Sequence, residues 1–281
     1  MYRIVPTIGD CVGLVGCSNT LDEMCSYQEE YVVKILSSLG LSVKVSPTLY
    51  KASSSQQRAQ VLMDMYRSPQ VKAIFDISGG DLALGVLEYL DYDVIRDNPK
   101  PLWGYSDLTC VINALYQMTG QPQVLYSMRN IFLDDTRLQE DEFRGAMEGD
   151  RQLFSPRWQM VQGTAMEGIL VGGNIRCFLK LSGTKYMPTM ENKVLFLESR
   201  SGDQNRIITM IEQLKLQGAF DRIKGLLLGT FTELDKRIGR SETISLIQKL
   251  VSKEGLPIAY TNDVGHGFDS KALKIGQEIR I

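Results

Sequence analysis

At 281 residues, with 43% apolar and 23% charged side chains, the chain is long enough for two packed domains or one large one and too apolar for wholesale disorder. A formal net charge of −2 argues against a nucleic-acid-binding surface and leaves small molecules or peptides as the expected partners. Cys11, Cys17, Cys25, Cys110 and Cys177 form no C-x-x-C pair, and no cleavage-site pattern or run of about twenty apolar residues occurs, so reduced thiols, a cytoplasmic location and no membrane association are expected.

Cys11 to Cys17 reads as a buried strand followed by the polar loop Ser18-Asn19-Thr20. A helix follows with Tyr31, Val32, Ile35, Leu36 and Leu39 on its inner face and Gly40 as its stop. Leu41 to Val45 is a second strand, Ala59, Leu62, Met63 and Tyr66 mark a second helix, and Val71 to Ile77 is a third strand. Ser78-Gly79-Gly80-Asp81 then leads into an apolar helix spanning Leu82 to Leu90. The glycine pair lacks the G-x-G-x-x-G spacing of a dinucleotide site; a tight strand-to-helix turn is the competing reading of this loop. Strand, loop, helix and strand recur in this order, which predicts an α/β fold with a parallel sheet covered by helices on both faces. Ligands bind such sheets at the carboxyl ends of the strands.

Lys100 to Leu108 is an apolar run ending in Gly104-Tyr105-Ser106-Asp107, with Leu108, Val111, Ile112 and Leu115 starting a helical stripe at once. Ser106 therefore stands on a strand-to-helix turn, where helix-starting N–H groups can hold developing negative charge. Leu108 occupies the place of the second glycine of G-x-S-x-G, and a plain helix N-cap is the alternative. Ser78, also at a strand end beside glycines, is a rival nucleophile.

The acidic stretch from Leu133 to Arg151 reads as a solvated helix face, and the domain boundary is expected near residues 155 to 165, with Trp158 packed between the domains. Beyond it the pattern is mixed: strands at Gly168–Asn174, Lys193–Glu198, Ile223–Leu228 and Leu256–Tyr260, helices at Ile207–Leu216 and Ser241–Lys253, and a short strand at the end of the chain. His266, the single histidine, lies in Val264-Gly265-His266-Gly267-Phe268, whose glycines favour an exposed loop over a packed core. With one imidazole and no cysteine cluster, neither a metal site nor another cofactor is expected. Glu198 ends a strongly apolar strand, so its carboxylate can accept the His266 Nδ1 proton and leave Nε2 to take the proton of Ser106. A structural histidine and a glutamate satisfied by a backbone amide are the bland alternatives.

Taken in order, Ile8-Gly9-Asp10, Arg58-Ala59, Gly79-Gly80, Gly104-Tyr105-Ser106-Asp107, Gly172-Gly173-Asn174, Gly183-Thr184-Lys185-Tyr186, Leu195-Phe196-Leu197-Glu198, Gly265-His266 and Ile275-Gly276-Gln277 make the chain resemble the LD-carboxypeptidases, a family of serine peptidases. The resemblance implies a flavodoxin-like N-terminal domain over residues 1–158 and a smaller, mixed β-rich C-terminal domain over 165–281. It implies a Ser106, Glu198 and His266 triad split between them, an oxyanion held by backbone N–H groups of Asp107 and the Gly79-Gly80 pair, principally Gly80, and a homodimer. The expected substrate is a murein tetrapeptide with a C-terminal D-amino acid, or alternatively a peptidyl-nucleotide antibiotic, as for the immunity peptidases of the family; a non-catalytic module binding a peptide or sugar fragment at the Gly79-Gly80 crevice is the third reading. Ser78-Gly79-Gly80-Asp81-Leu82 stands where the peptidoglycan enzymes commonly have Arg-Gly-Gly-Tyr-Gly, and the aromatic, adenine-stacking loop of the immunity peptidases is not identified in the sequence.

Overall fold

The computed structural model describes residues 2–21, 26–47 and 49–281; Cys25 lies outside them. The first half alternates strands and helices: β1 (Cys11–Val15), α1 (Ser26–Ser38), β2 (Ser42–Val45), α2 (Ser55–Arg67), β3 (Val71–Asp76), α3 (Tyr92–Asp97), β4 (Leu102–Gly104), α4 (Thr109–Thr119) and β5 (Gln123–Leu125). Two helices, α5 (Asn130–Leu133) and α6 (Leu138–Met147), precede the second sheet. The second half of the chain comprises β6 (Gln159–Gln162), β7 (Glu167–Asn174), α7 (Ile175–Leu179), β8 (Lys193–Ser199), α8 (Gln204–Leu216), α9 (Ala219–Arg222), β9 (Gly225–Phe231), α10 (Thr232–Ile238), α11 (Arg240–Val251), β10 (Ile258–Tyr260), β11 (Leu273–Ile275) and β12 (Glu278–Arg280).

The first sheet has the order β11-β5-β4-β3-β1-β2, parallel except for β11, which is the doubly wound order of flavodoxin-like folds with the switch point between β1 and β3. Its strands are near-continuously apolar because helices cover both faces. On one face Val12, Leu14, Leu36, Phe75 and Phe143 gather around Trp103, whose ring meets those of Phe75 and Phe143 edge-on at 5.5 and 5.6 Å. On the other, Leu62, Tyr66, Ile74, Val111 and Leu115 form a core that continues into Val194, Phe196 and Leu227 of the second sheet. The second sheet runs β12-β7-β8-β9-β10-β6, four parallel strands between two antiparallel edges. The chain is thus two α/β domains sharing one apolar seam under α4.

Several expectations need correction. Leu82 to Leu90 is not an α-helix but a 3₁₀ segment, Ala83–Tyr89, with Leu82 exposed. Gly85, the third residue of the segment, lowers helix propensity, and the N–H of Ala83, the first, is taken by the Asp107 carboxylate at 2.9 Å. Tyr31 is exposed rather than inward, its ring meeting that of Phe132 edge-on at 6.3 Å. The acidic stretch is not wholly solvated: Glu142 on α6 is buried against the ammonium of Lys271. The end of the chain makes two strands in different sheets, β11 closing the first sheet beside β5 and β12 edging the second. Trp158 needs no such correction: it is half-buried against the core that the two sheets share, at the edge of Phe196.

Candidate active site

The strand-to-helix turn begins as β4 ends at Gly104. Tyr105 is extended, Ser106 takes φ 57°, and a 3₁₀ turn over Ser106–Leu108 runs into α4. A non-glycine residue in the left-handed region costs about 1–3 kcal/mol and persists only where its surroundings hold it. Here Leu108 is fully buried in the core and Gly104 leaves it room: a Cβ at position 104 would stand 2.7 Å from that of Leu108. The glycine missing after the serine is therefore compensated by the glycine before it. The Ser106 side chain makes no hydrogen bond among the described residues. Ser78, by contrast, donates from Oγ to Asp76 at 2.6 Å and accepts the Ser18 N–H at 2.9 Å, so its hydroxyl is already committed to the structure.

His266 comes from the loop after β10. Arg157 clamps that loop through Asp263, with guanidinium contacts of 2.9 and 3.0 Å, and holds the Asp263 carboxyl below the usual carboxylate range. The Thr230 N–H bonds to Val264 O, and Ser270 Oγ accepts the Gly265 N–H. The imidazole is not freely exposed as its glycines suggested: only 11% of the side chain remains accessible, and Tyr105 packs against it edge-on at 4.9 Å. Its Nδ1 lies 2.8 Å from Oε2 of Glu198, the penultimate residue of β8, which is fully buried. Asn174 Nδ2 donates to the other carboxylate oxygen at 3.1 Å. A carboxylate accepts only, so in the neutral ring the tautomer that suits this contact has the proton on Nδ1 and leaves Nε2 as the acceptor. That Nε2 is buried without a hydrogen-bond partner. Burial, and next the Glu198 charge, hold the Tyr105 phenol far above its ordinary range, keeping it neutral beside the pair.

Ser106, His266, Gly79 and Gly80 line one cavity of about 450 Å³ at the carboxyl ends of the first sheet's strands, by the switch point. A cleft of about 420 Å³ at their amino ends, beside Asp10, Val71 and Lys100, contains none of these groups. Gly80 has φ 126°, and a side chain there would overlap Asn19, whose Oδ1 accepts the Asp81 N–H at 2.9 Å. Close packing on Asn19 thus leaves the Gly80 backbone facing the cavity. Asp107 does not line this cavity, and its fully buried carboxylate turns inward to Lys180, the Ser18 hydroxyl at 2.5 Å and the Ala83 N–H.

The Asp107 to Lys180 ion pair joins the two domains beside the serine, and Arg176 on α7 reaches across to Asp81 and to Gly80 O. Asn113 on α4 pairs with both the N–H and C=O of Gly172, at 2.9 and 2.8 Å, and Thr109 Oγ1 accepts the Asn174 N–H. These contacts are what the sequence reading did not assign. Thr109 and Asn113, four apart on an otherwise apolar helix face, were the available signal. Lys180→Met is expected to leave Asp107 buried without its counter-ion and to lower stability by about 3 kcal/mol, read as a denaturant midpoint shift at constant slope. A shift below about 0.5 kcal/mol would mean that the pair does not hold the interface.

Residues 12–127 match the LD-carboxypeptidase N-terminal domain and residues 167–281 the LD-carboxypeptidase C-terminal domain. The chain is 31% identical to the probable murein peptide carboxypeptidase of Bacillus subtilis (strain 168), over 95% of this chain and 87% of that one. It is 23% identical to the microcin C7 self-immunity protein of Escherichia coli, over 83% and 77% respectively. That immunity protein's wild-type apo structure superposes with a TM-score of 0.88 at 19% identity, covering 100% of this chain and 95% of the other. It has also been solved with aspartyl sulfamoyl adenosine. Muramoyltetrapeptide carboxypeptidase from Oxalobacter formigenes superposes at 0.77 with 20% identity, covering 96% and 94%. Among the described residues, no helix is long and apolar enough to cross a membrane.

Proposed function

The chain belongs to the LD-carboxypeptidase family, and from that premise we propose that it is a serine carboxypeptidase of peptidoglycan recycling. Its substrate is a murein tetrapeptide, cleaved at the amide between an L-centre, L-Lys or meso-diaminopimelate, and a C-terminal D-amino acid. The observation that carries this reading is the His266 imidazole, held by buried Glu198 at Nδ1 and unpartnered at Nε2, on the cavity that Ser106 lines.

In this mechanism Ser106 Oγ attacks the carbonyl carbon while His266 Nε2 takes the hydroxyl proton. The oxyanion is held by the backbone N–H groups of Gly80 and Asp107, with Gly79 shaping the loop. The imidazolium, stabilised by Glu198, gives its proton to the amide nitrogen, the C–N bond breaks, and the D-amino acid leaves as a free amine. Water then attacks the acyl-enzyme, His266 taking its proton and returning it to Ser106. Because Ser106 lies on one domain and Glu198 and His266 on the other, the clamp through Asp107, Lys180 and Arg176 sets the attack geometry. A displacement of about 1 Å there is worth on the order of a hundredfold in rate. The reading carries with it a cytoplasmic homodimer, in keeping with the free thiols of Cys11, Cys17, Cys110 and Cys177.

A second reading, an amidase cleaving a peptidyl-nucleotide antibiotic, is favoured by one observation: Phe268, an exposed aromatic, lines the same cavity. Both substrates should be given to one preparation. Release of D-alanine from a tetrapeptide ending in L-Lys-D-Ala or diaminopimelate-D-Ala is the expected result. Cleavage of aspartyl sulfamoyl adenosine alone would transfer the assignment to the second reading, and turnover of neither would refute both.

A further inference from the structure

We propose that Arg129 and Arg200 form the subsite that holds the terminal carboxylate of the leaving amino acid, a proposal that rests on the hydrolase reading and names what its cavity selects. The two arrive from opposite sides. Arg129 follows β5 of the first sheet as the residue before α5, and Arg200 follows β8 of the second, two residues after Glu198. Both line the cavity that Ser106 and His266 line.

Among the partly covered cations, Lys180, Lys271 and Arg240 have acids, Asp107, Glu142 and Asp235, whereas buried Lys100 and Arg58 are held by backbone carbonyls and, for Arg58, the Ser55 hydroxyl, away from this cavity. Among the described residues neither the Arg129 nor the Arg200 guanidinium has a carboxylate partner, and Arg129 Nε is buried with no hydrogen-bond partner at all. Leaving a desolvated guanidinium donor unpaired is costly, so such a donor is expected to be completed by an anion from outside the chain. The described lining of this cavity contains two arginines and a histidine but no aspartate or glutamate, in a protein whose net charge is −2. The local field is thus opposite in sign to that of the whole chain, and it favours an anionic ligand. A guanidinium presents its donors in a planar fork that matches a carboxylate bidentately. A carboxypeptidase must distinguish a terminal residue from an internal one, and the terminal carboxylate is the group that differs.

Binding can be measured without turnover in the Ser106→Ala protein. The ligands are a tetrapeptide ending in L-Lys-D-Ala as the free acid, the same peptide as its C-terminal amide, and aspartyl sulfamoyl adenosine. The acid is expected to bind about ten- to a hundredfold more tightly than the amide, the range of charge-assisted hydrogen bonds. Adding Arg129→Gln or Arg200→Gln should each shrink that ratio, and both together should bring it close to one with amide affinity unchanged. Arg200 is exposed, so its variant is expected to fold whatever becomes of Arg129. Equal binding of acid and amide, or a ratio that survives both substitutions, overturns the proposal. So does a double variant that weakens only the sulfamoyl nucleotide, because the arginines would then serve a different anion. Labelling of wild-type Ser106 by a neutral fluorophosphonate separately tests the hydrolase reading: a labelled serine with no acid preference sinks the subsite alone, and an unlabelled serine sinks the nucleophile.

Discussion

Ser106→Ala should reduce release of D-alanine from a tetrapeptide ending in L-Lys-D-Ala by about 10⁴-fold or more, with the melting temperature unchanged. The expectation of an intact fold follows from the turn itself. The strain at φ 57° belongs to the backbone, and alanine carries the same Cβ as serine, so the left-handed conformation costs no more after the change. The hydroxyl has no protein partner among the described residues, so its removal orphans no buried donor. Ser78→Ala offers the contrast. It strips a hydrogen bond from buried Asp76 and an acceptor from the Ser18 N–H, and should destabilise by about 1–3 kcal/mol while sparing the nucleophile. Steady-state D-alanine release and thermal unfolding on both variants decide the matter. More than about 1% residual turnover in Ser106→Ala would remove it from the nucleophile's role.

Glu198→Gln should cost about 10⁴-fold in kcat without unfolding the protein, because it changes a tautomer rather than a contact. Asn174 Nδ2 donates to Glu198 Oε1, and an amide at 198 must keep its oxygen there to satisfy that donor. Its NH₂ then faces His266 Nδ1 in the position where Oε2 now accepts. Nδ1 is forced to become the acceptor, the ring proton moves to Nε2, and Nε2 can no longer take a proton from Ser106. The loss should fall on kcat with KM little altered, since Glu198 is fully buried and does not line the cavity. A kcat within about tenfold of wild type would show that Glu198 does not set the imidazole tautomer.

The candidate site was legible in the sequence to an unequal degree. Ser106 could be found because a turn that lifts a hydroxyl off a sheet needs a short apolar strand, a small residue and an immediate helix, all local requirements written side by side. His266 could be found by elimination, as the chain's single imidazole. The Glu198 partnership was harder, because β8 and the His266 loop are 68 residues apart and only sheet order brings them within hydrogen-bond reach. Arg129 and Arg200 carried no local signal. Each reads as an ordinary charged residue in a loop, and the shortage of acids around them exists only where six separate loops converge. Asp107 was expected to contribute its backbone N–H, and the place of its carboxylate in the interdomain clamp had no local signal.

What the sequence determined alone is the alternation of apolar strands and amphipathic helices, the strand-to-helix turn at Ser106 and the change of pattern beyond residue 160. Hydrophobic periodicity and turn sterics act over a few residues, so they can be read from a few residues. Tertiary structure alone decided that Leu273–Ile275 returns to the first sheet, that Lys180 neutralises Asp107 across the seam, and that Glu142 is buried with Lys271. It also decided which cations were left without an acid. Strand pairing and buried charge depend on what the rest of the chain brings alongside, and that partner is absent from any short window of sequence.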